Sequence, residues 1–226
     1  MSDAAPSPCP VVRARSILQK VRTHGNEWFG IDYNMNLYRG CCHGCIYCDS
    51  RSACYGVEDF ARVRVKKDAL PRLRQELAAC RESGVVATGS MSDPYNPLER
   101  RYGYTRGLLE LLDRYCFGAA IATKGTLVER DIDLLQRIST HSPVIVKITV
   151  TTPHDALSAL VEPHAPPSSR RLAALEALSR AGGLRPSRSW LKRGSRRECC
   201  SCRCCPFWRT IRRTSVCWCS CAPGRG

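Results

Sequence analysis

Four cysteines crowd into the stretch YRGCCHGCIYCDS, residues 38–50: Cys41, Cys42, Cys45 and Cys48. Taken as Cys41, Cys45 and Cys48, they read C-x3-C-x2-C. Three thiolates at that spacing can hold three corners of a cubane iron–sulfur cluster and leave the fourth iron open. A structural zinc site would want a fourth donor. His43 and Cys42 are both nearby, so zinc stays open on the residues alone. Gly40 and Gly44 let the backbone turn tightly around such a group. Tyr47, between the last two cysteines, is expected to set an aromatic ring beside the open coordination position.

A loop of this kind has to be carried by rigid elements. From about residue 31 the chain alternates short strands and helices. Strands are expected over 31–39, 84–90, 117–124 and 143–152, and helices over 68–83, 105–116, 129–140 and 168–183. The helices carry apolar residues at helical spacing: Leu70, Leu73 and Leu77, then Ile132, Leu135 and Ile138, then Leu172, Leu175 and Leu178. Pro71 suits a first turn, and Gly84, Gly182 and Gly183 suit helix ends. The order βαβα predicts a parallel sheet with crossover helices, and such sheets gather ligands at the C-terminal ends of their strands. Each unusual segment follows a strand: the Cys loop, GSMSDPYNP, TKG and TTPHD. Four polar loops are therefore expected on one face. Cys54, Cys80 and Cys116 read as isolated, buried or half-buried thiols.

The 226 residues are 43% hydrophobic, enough for a packed core. No apolar run approaches the roughly 18–20 residues that span a bilayer, and the N-terminus lacks the apolar centre of a signal peptide. A cytoplasmic location with no membrane partner is expected. There, clustered thiols mean metal or catalysis rather than disulfides. The net charge of +15 is uneven. Residues 184–226 hold eleven Lys and Arg against Glu198 alone, with eight of the sixteen cysteines. That stretch has no helix or strand period and reads as disordered or out-of-frame sequence. The expected layout is an N-terminal extension (1–30), a core (31–183) and an Arg/Cys-rich tail (184–226).

With these motifs in place, the sequence resembles the radical S-adenosylmethionine (SAM) superfamily, and within it the spore photoproduct lyase-like branch. NLYRGCCHGCIYCDSRSACYG, ATGSMSDPYNPLE, IATKGTLVERDIDLL, HSPVIVKITVTT and EPHAPPSSRRLAALEALSRAG carry the resemblance, which covers about residues 14–183. It implies an α/β fold, a partial (β/α) barrel of the radical SAM type with about four βα units and a non-periodic C-terminal tail. It also implies a C-terminus truncated or frameshifted after residue 183, with activity impaired.

The resemblance further implies a lyase-like enzyme with a 4Fe-4S cluster on Cys41, Cys45 and Cys48. Cys42 departs from the family pattern. SAM would bind the open iron and be cleaved reductively to a 5′-deoxyadenosyl radical. Ser90, Ser92 and Asp93 fall where the superfamily binds the methionyl amine. Lys124 is expected to meet the SAM carboxylate. Thr151, nearer its strand end than Thr149, is the expected strand contact, and Glu162 and Arg171 match positions near the ribose. A one-electron reductant of flavodoxin or ferredoxin type is the implied partner, and nucleic acid is a candidate substrate. In the family, repair of a thymine dimer uses a cysteine in the second-strand loop. Residues 85–97 contain none, so the substrate stays open. The competing reading is a zinc-binding, nucleic-acid-associated protein without catalysis.

Overall fold

A computed structural model describes residues 11–21 and 30–181. The expectations for residues 1–10, for Gly182 and Gly183 and for the tail lie outside the described residues. Eight strands are formed there: β1 (Val11–Val12), β2 (Gln19–Lys20), β3 (Tyr33–Asn34), β4 (Tyr38–Arg39), β5 (Arg64–Lys66), β6 (Val85–Thr88), β7 (Gly118–Thr123) and β8 (Val144–Ile148). The helices are α1 (Ala69–Ala79), α2 (Glu99–Tyr102), α3 (Tyr104–Arg114), α4 (Ile132–His141), α5 (Asp155–Val161) and α6 (Ser168–Arg180).

The main sheet has the order β2-β3-β6-β7-β8. Strands β3, β6, β7 and β8 run parallel, and β2 pairs antiparallel with β3. The α/β layout expected from the sequence is present as a partial barrel: the sheet does not close on itself among the described residues. A second, small sheet has the order β1-β5-β4.

Register fixes the two faces of the main sheet, because side chains alternate along each strand. Val86, Ala119, Ile121, Val146 and Ile148 lie on one face and are buried against the helices. Leu108, Leu109 and Leu112 of α3 and Leu134, Leu135 and Ile138 of α4 are at most 1% exposed. Each such side chain contributes about 1.5–3 kcal/mol by leaving water. Ala87, Ala120, Ala122, Ile145 and Lys147 share the other face. Small residues dominate it, so it forms a low floor beneath the loops at the strand ends.

Several elements differ from the sequence expectation. The strand expected over 31–39 is two short strands in different sheets. Met35 still donates its N–H to Ala87 O (2.9 Å) before the chain changes sheet. Strands β1, β2 and β5 are too short to show a period. Helix α1 ends at Ala79 because Cys80 is extended, so Gly84 precedes β6 instead of closing the helix. A 3-10 turn, Thr126–Asp131, occupies the start of the helix expected from 129. Helix α5 was not foreseen. Cys54 and Cys116 are exposed and only Cys80 is half-buried. Cys54 lies in a surface 3-10 turn (Ala53–Tyr55), and Cys116 follows the end of α3 in a left-handed conformation.

Candidate active site

The Cys loop leaves β4 and is tied down at several points. Cys41 N–H donates to Phe60 O (2.8 Å), Ile46 N–H to Val161 O (3.0 Å), and His164 N–H to His43 O (3.1 Å). The hydroxyl of Ser92 donates to Gly40 O (2.5 Å). Both expected turn glycines have positive φ, +83° at Gly40 and +69° at Gly44. A Cβ on Gly44 would stand 3.1 Å from both Pro163 and His164, so glycine also allows the close approach of the 163–164 segment.

Cys45 is buried, and Cys41 and Cys48 are half-buried. Burial pushes the Cys41 thiol up to about 11 and raises Cys45 and Cys42 as well. Cys42 is half-buried and packs against the hydrophobic core. Among the described residues, no three His, Cys, Asp or Glu side chains converge closely enough to share one metal ion. Thiolates around a single zinc would stand about 3.8 Å apart. A cubane asks for something else, with each thiolate on its own iron. One buried and two half-buried thiols on one tightly turned loop fit that demand.

Past the end of β6, Gly89 (φ +100°) turns the chain so closely over β7 that a Cβ would lie 1.9 Å from Ala122 O. The turn delivers Ser90, Ser92 and Asp93. Ser90 remains at the surface, within 3.5 Å of Asn34. Asp93 is buried and fully engaged. Its Oδ1 accepts from Tyr95 N–H (2.9 Å) and the Thr123 hydroxyl (2.6 Å). Its Oδ2 accepts from Lys124 N–H (2.7 Å) and lies 3.4 Å from His43 Nδ1. Burial holds His43 below the usual histidine range despite the nearby carboxylate. Asp93 thus joins the second-strand loop, the β7 end and the Cys loop. Ser92 and Asp93 spend their hydrogen-bonding capacity on holding loops together.

A second cluster gathers the remaining candidates. Glu162, 1% exposed, receives the Thr151 hydroxyl at 2.6 Å and the Tyr47 hydroxyl on Oε1. Its Oε2 receives Arg171, together with Ser158 at 3.4 Å. The fully buried Arg171 also donates to Ser158 Oγ (2.7 Å), Thr149 O (2.9 Å) and Pro166 O (2.7 Å). Lys124 Nζ stands 3.9 Å from Glu162 Oε1 and 5.6 Å from the centre of the Tyr47 ring. Burial works to raise the Glu162 pKa. Hydrogen bonds from Thr151, Tyr47 and Arg171, with the Arg171 charge, outweigh it and hold the carboxyl below the usual range. Burial and the hydrogen bond to Glu162 push the Tyr47 phenol upward.

The structure therefore brings Tyr47, Lys124, Thr151, Glu162 and Arg171 together, with Ser92 and Asp93 in the adjoining loop. Ser90 is set apart at the rim. His43, weighed from the sequence only as a zinc donor, instead faces Asp93, and Ser158 carries no expectation from the sequence. Asp93 meets His43 from a distant part of the chain, whereas Ser158 meets Glu162 across one turn of the unexpected helix α5.

Comparisons with known proteins bear on what this arrangement is. The family model described as the radical SAM superfamily matches residues 35–189. An uncharacterized protein of Mycobacterium tuberculosis (strain ATCC 25618 / H37Rv) is 34% identical over 159 residues, 66% of this chain and 46% of that one. One from Methanocaldococcus jannaschii is 32% identical over 155 residues, 68% of this chain and 57% of that one. The chain spans about half the length of the curated relatives it matches. Among solved structures, spore photoproduct lyase complexed with dinucleoside spore photoproduct superposes with a TM-score of 0.54 at 18% identity. That match covers 76% of this chain and 48% of the other. A variant of the same lyase with bound AdoMet gives a TM-score of 0.51. The likeness to the lyase is one of fold. The zinc-binding, non-catalytic alternative gives way to the family match: this chain belongs to the radical SAM superfamily of enzymes.

Proposed function

We propose that Cys41, Cys45 and Cys48 hold a 4Fe-4S cluster and that SAM binds between its open iron and the β7–β8 strand ends. When bound, this pair supplies one-electron cleavage of a C–S bond and, through it, abstraction of a hydrogen atom from a substrate. The observation that carries the reading is the Tyr47–Thr151–Glu162 cluster. It ties the cysteine loop directly to the strand ends that hold Lys124.

The protein's own groups have distinct tasks. Lys124 offers a cation to the SAM carboxylate. Glu162, kept ionised by its donors and fixed by Arg171, offers acceptors to ribose hydroxyls. Reaching it requires Tyr47 to yield its hydrogen bond. Ser92 and Asp93 position the Cys loop and the Lys124 backbone, and Ser90, exposed at the rim with only long 3.5 Å contacts to Asn34, is the hydroxyl of that loop offered to the methionyl amine. Ala87, Ala120 and Ala122 leave room above the sheet for a substrate. The electron is expected from a flavodoxin- or ferredoxin-like reductant. Spore photoproduct lyase takes a dinucleoside spore photoproduct, and a nucleic-acid lesion is a candidate substrate here. The loop at 89–97 has no cysteine to return a hydrogen atom, so the lyase's own repair reaction is not carried over.

Anaerobic reconstitution tests the reading. The parent and Cys42→Ala are expected to take up iron and sulfide and turn brown, whereas Cys41→Ala, Cys45→Ala and Cys48→Ala lose the iron. Zinc-loaded, iron-free parent protein would remove the proposal.

A further inference from the structure

The site described above does not use a cleft of about 540 Å³ lined by Arg13, Ala14, Arg15, Lys67, Asp68 and Arg72. It lies at the opposite end of β5 from the Cys loop. Phe60, before β5, accepts from Cys41 N–H, whereas Lys67, after it, donates its N–H to Val12 O (2.9 Å). The volume falls in the range of small-molecule sites.

The charge of this cleft is unbalanced. Arg13, Arg15, Lys67 and Arg72 are all exposed at its wall. Among the described residues none of the four forms an ion pair, although Asp68 shares the cleft. The guanidinium of Arg72 donates to the Arg15 carbonyl, which fixes one cation at the wall without neutralising it. Lys66, one residue before Lys67, is half-buried and held below the usual lysine range by burial and by Arg39. More positive charge would be unwelcome here unless an anion offsets it. Elsewhere on the surface cations do find carboxylates, as Arg106 finds Asp133 and Arg180 finds Glu176.

We infer that this cleft binds a multiply charged phosphate anion, with Arg13, Arg15 and Lys67 as its mobile donors and Arg72 as its fixed wall. Planar guanidinium forks match phosphate oxygens two at a time, and the lysine adds a point charge. The anion is either a free polyphosphate group or the backbone of a nucleic acid.

The test uses the full chain and two probes, inorganic triphosphate and a short single-stranded oligonucleotide. Arg13→Glu/Arg15→Glu/Lys67→Glu is compared with Arg81→Glu/Arg114→Glu/Arg170→Glu, which changes net charge equally at exposed positions away from the cleft. The cleft variant is expected to bind at least one probe about tenfold more weakly than the control variant. Lys67 acetylation, read by mass spectrometry, is expected to slow when that probe is present. Protection by triphosphate identifies a free phosphate ligand. Protection by the oligonucleotide alone identifies a nucleic-acid backbone, with a salt dependence that falls by about 0.7 per lost phosphate contact. Equal weakening in both variants, or Lys67 acetylated equally fast with and without both probes, would overturn the inference. The outcome does not depend on the cluster.

Discussion

Two buried carboxylates, Glu162 and Glu99, have nearly the same chemistry and opposite surroundings. Glu99 is 0% exposed. It accepts from the Tyr38 hydroxyl (2.5 Å), Thr105 N–H (2.8 Å) and Arg130 (2.7 Å). Arg130 goes on to Asp131, which also takes Arg106 at 2.9 Å. Glu162 likewise has a tyrosine, a threonine and an arginine. The difference lies in the tyrosine. Tyr38 is 2% exposed and locked in the core, whereas Tyr47 is 50% exposed on the Cys loop. A carboxylate whose tyrosine is locked in the core holds structure together. One whose partner can swing into solvent can exchange that partner for a ligand.

This contrast can be broken by experiment. The largest effect is expected at Glu99→Ala, which leaves the buried Tyr38 hydroxyl and Thr105 N–H without their acceptor. Each buried donor left unsatisfied costs about 1–3 kcal/mol, so denaturant unfolding should show a large drop in midpoint. Lys124→Ala should do the reverse. A partly exposed pair at 3.9 Å contributes less than about 1 kcal/mol to folding, but SAM affinity by calorimetry should fall about tenfold or more as a charge-assisted contact is lost. Unchanged SAM affinity would remove Lys124 from the site.

Acid titration separates the carboxylate from its scaffold. The folded pKa of Glu162 lies below its unfolded value, so the unfolded chain binds more protons in that window. The stability it contributes is complete above the ordinary glutamate range, about 4.3. It is lost as pH falls through the lower folded value. Glu162→Gln should therefore flatten the acid limb of the stability profile. An acid limb as steep as the parent's would show that Glu162 is not held ionised. Tyr47→Phe is the mildest change. Losing one hydroxyl contact costs about 1 kcal/mol at most, and SAM should enter faster because Glu162 is uncovered. Slower association in stopped flow would show that the hydroxyl holds the ligand instead of guarding the site.

The sequence shows one of these carboxylates better than the other, for physical reasons. Lys124 and Thr151 are legible because strand order alone sends their loops to one face; Cys41, Cys45 and Cys48 are legible from their spacing, while their loop leaves the small sheet and is tied to that face by Ser92, Val161 and His164. Glu162 and Arg171 stand at recognisable positions, yet nothing local says they are buried. The apolar spacing of Leu172, Leu175 and Leu178 points α6 inward on its leucines. The buried residues are in fact Ser168, Arg171, Ala174 and Leu178, because Arg171 turns in to meet Glu162 from beyond α5. Glu99 and its network were invisible. Tyr38 reaches Glu99 across 61 residues of chain and Arg130 across 31, and their exposed-looking side chains carry no period. Strands of two or three residues, such as β1 and β5, likewise exist only through their partners.

The most direct measurement is electron paramagnetic resonance of the reconstituted, dithionite-reduced protein with and without SAM. The expected result is the signal of a reduced 4Fe-4S cluster that changes shape when SAM is added. The change should be retained in Cys42→Ala and weakened in Lys124→Ala. A cluster signal indifferent to SAM in the parent would contradict the open iron beside Lys124 and Glu162, and with it the reading of this face as the active site.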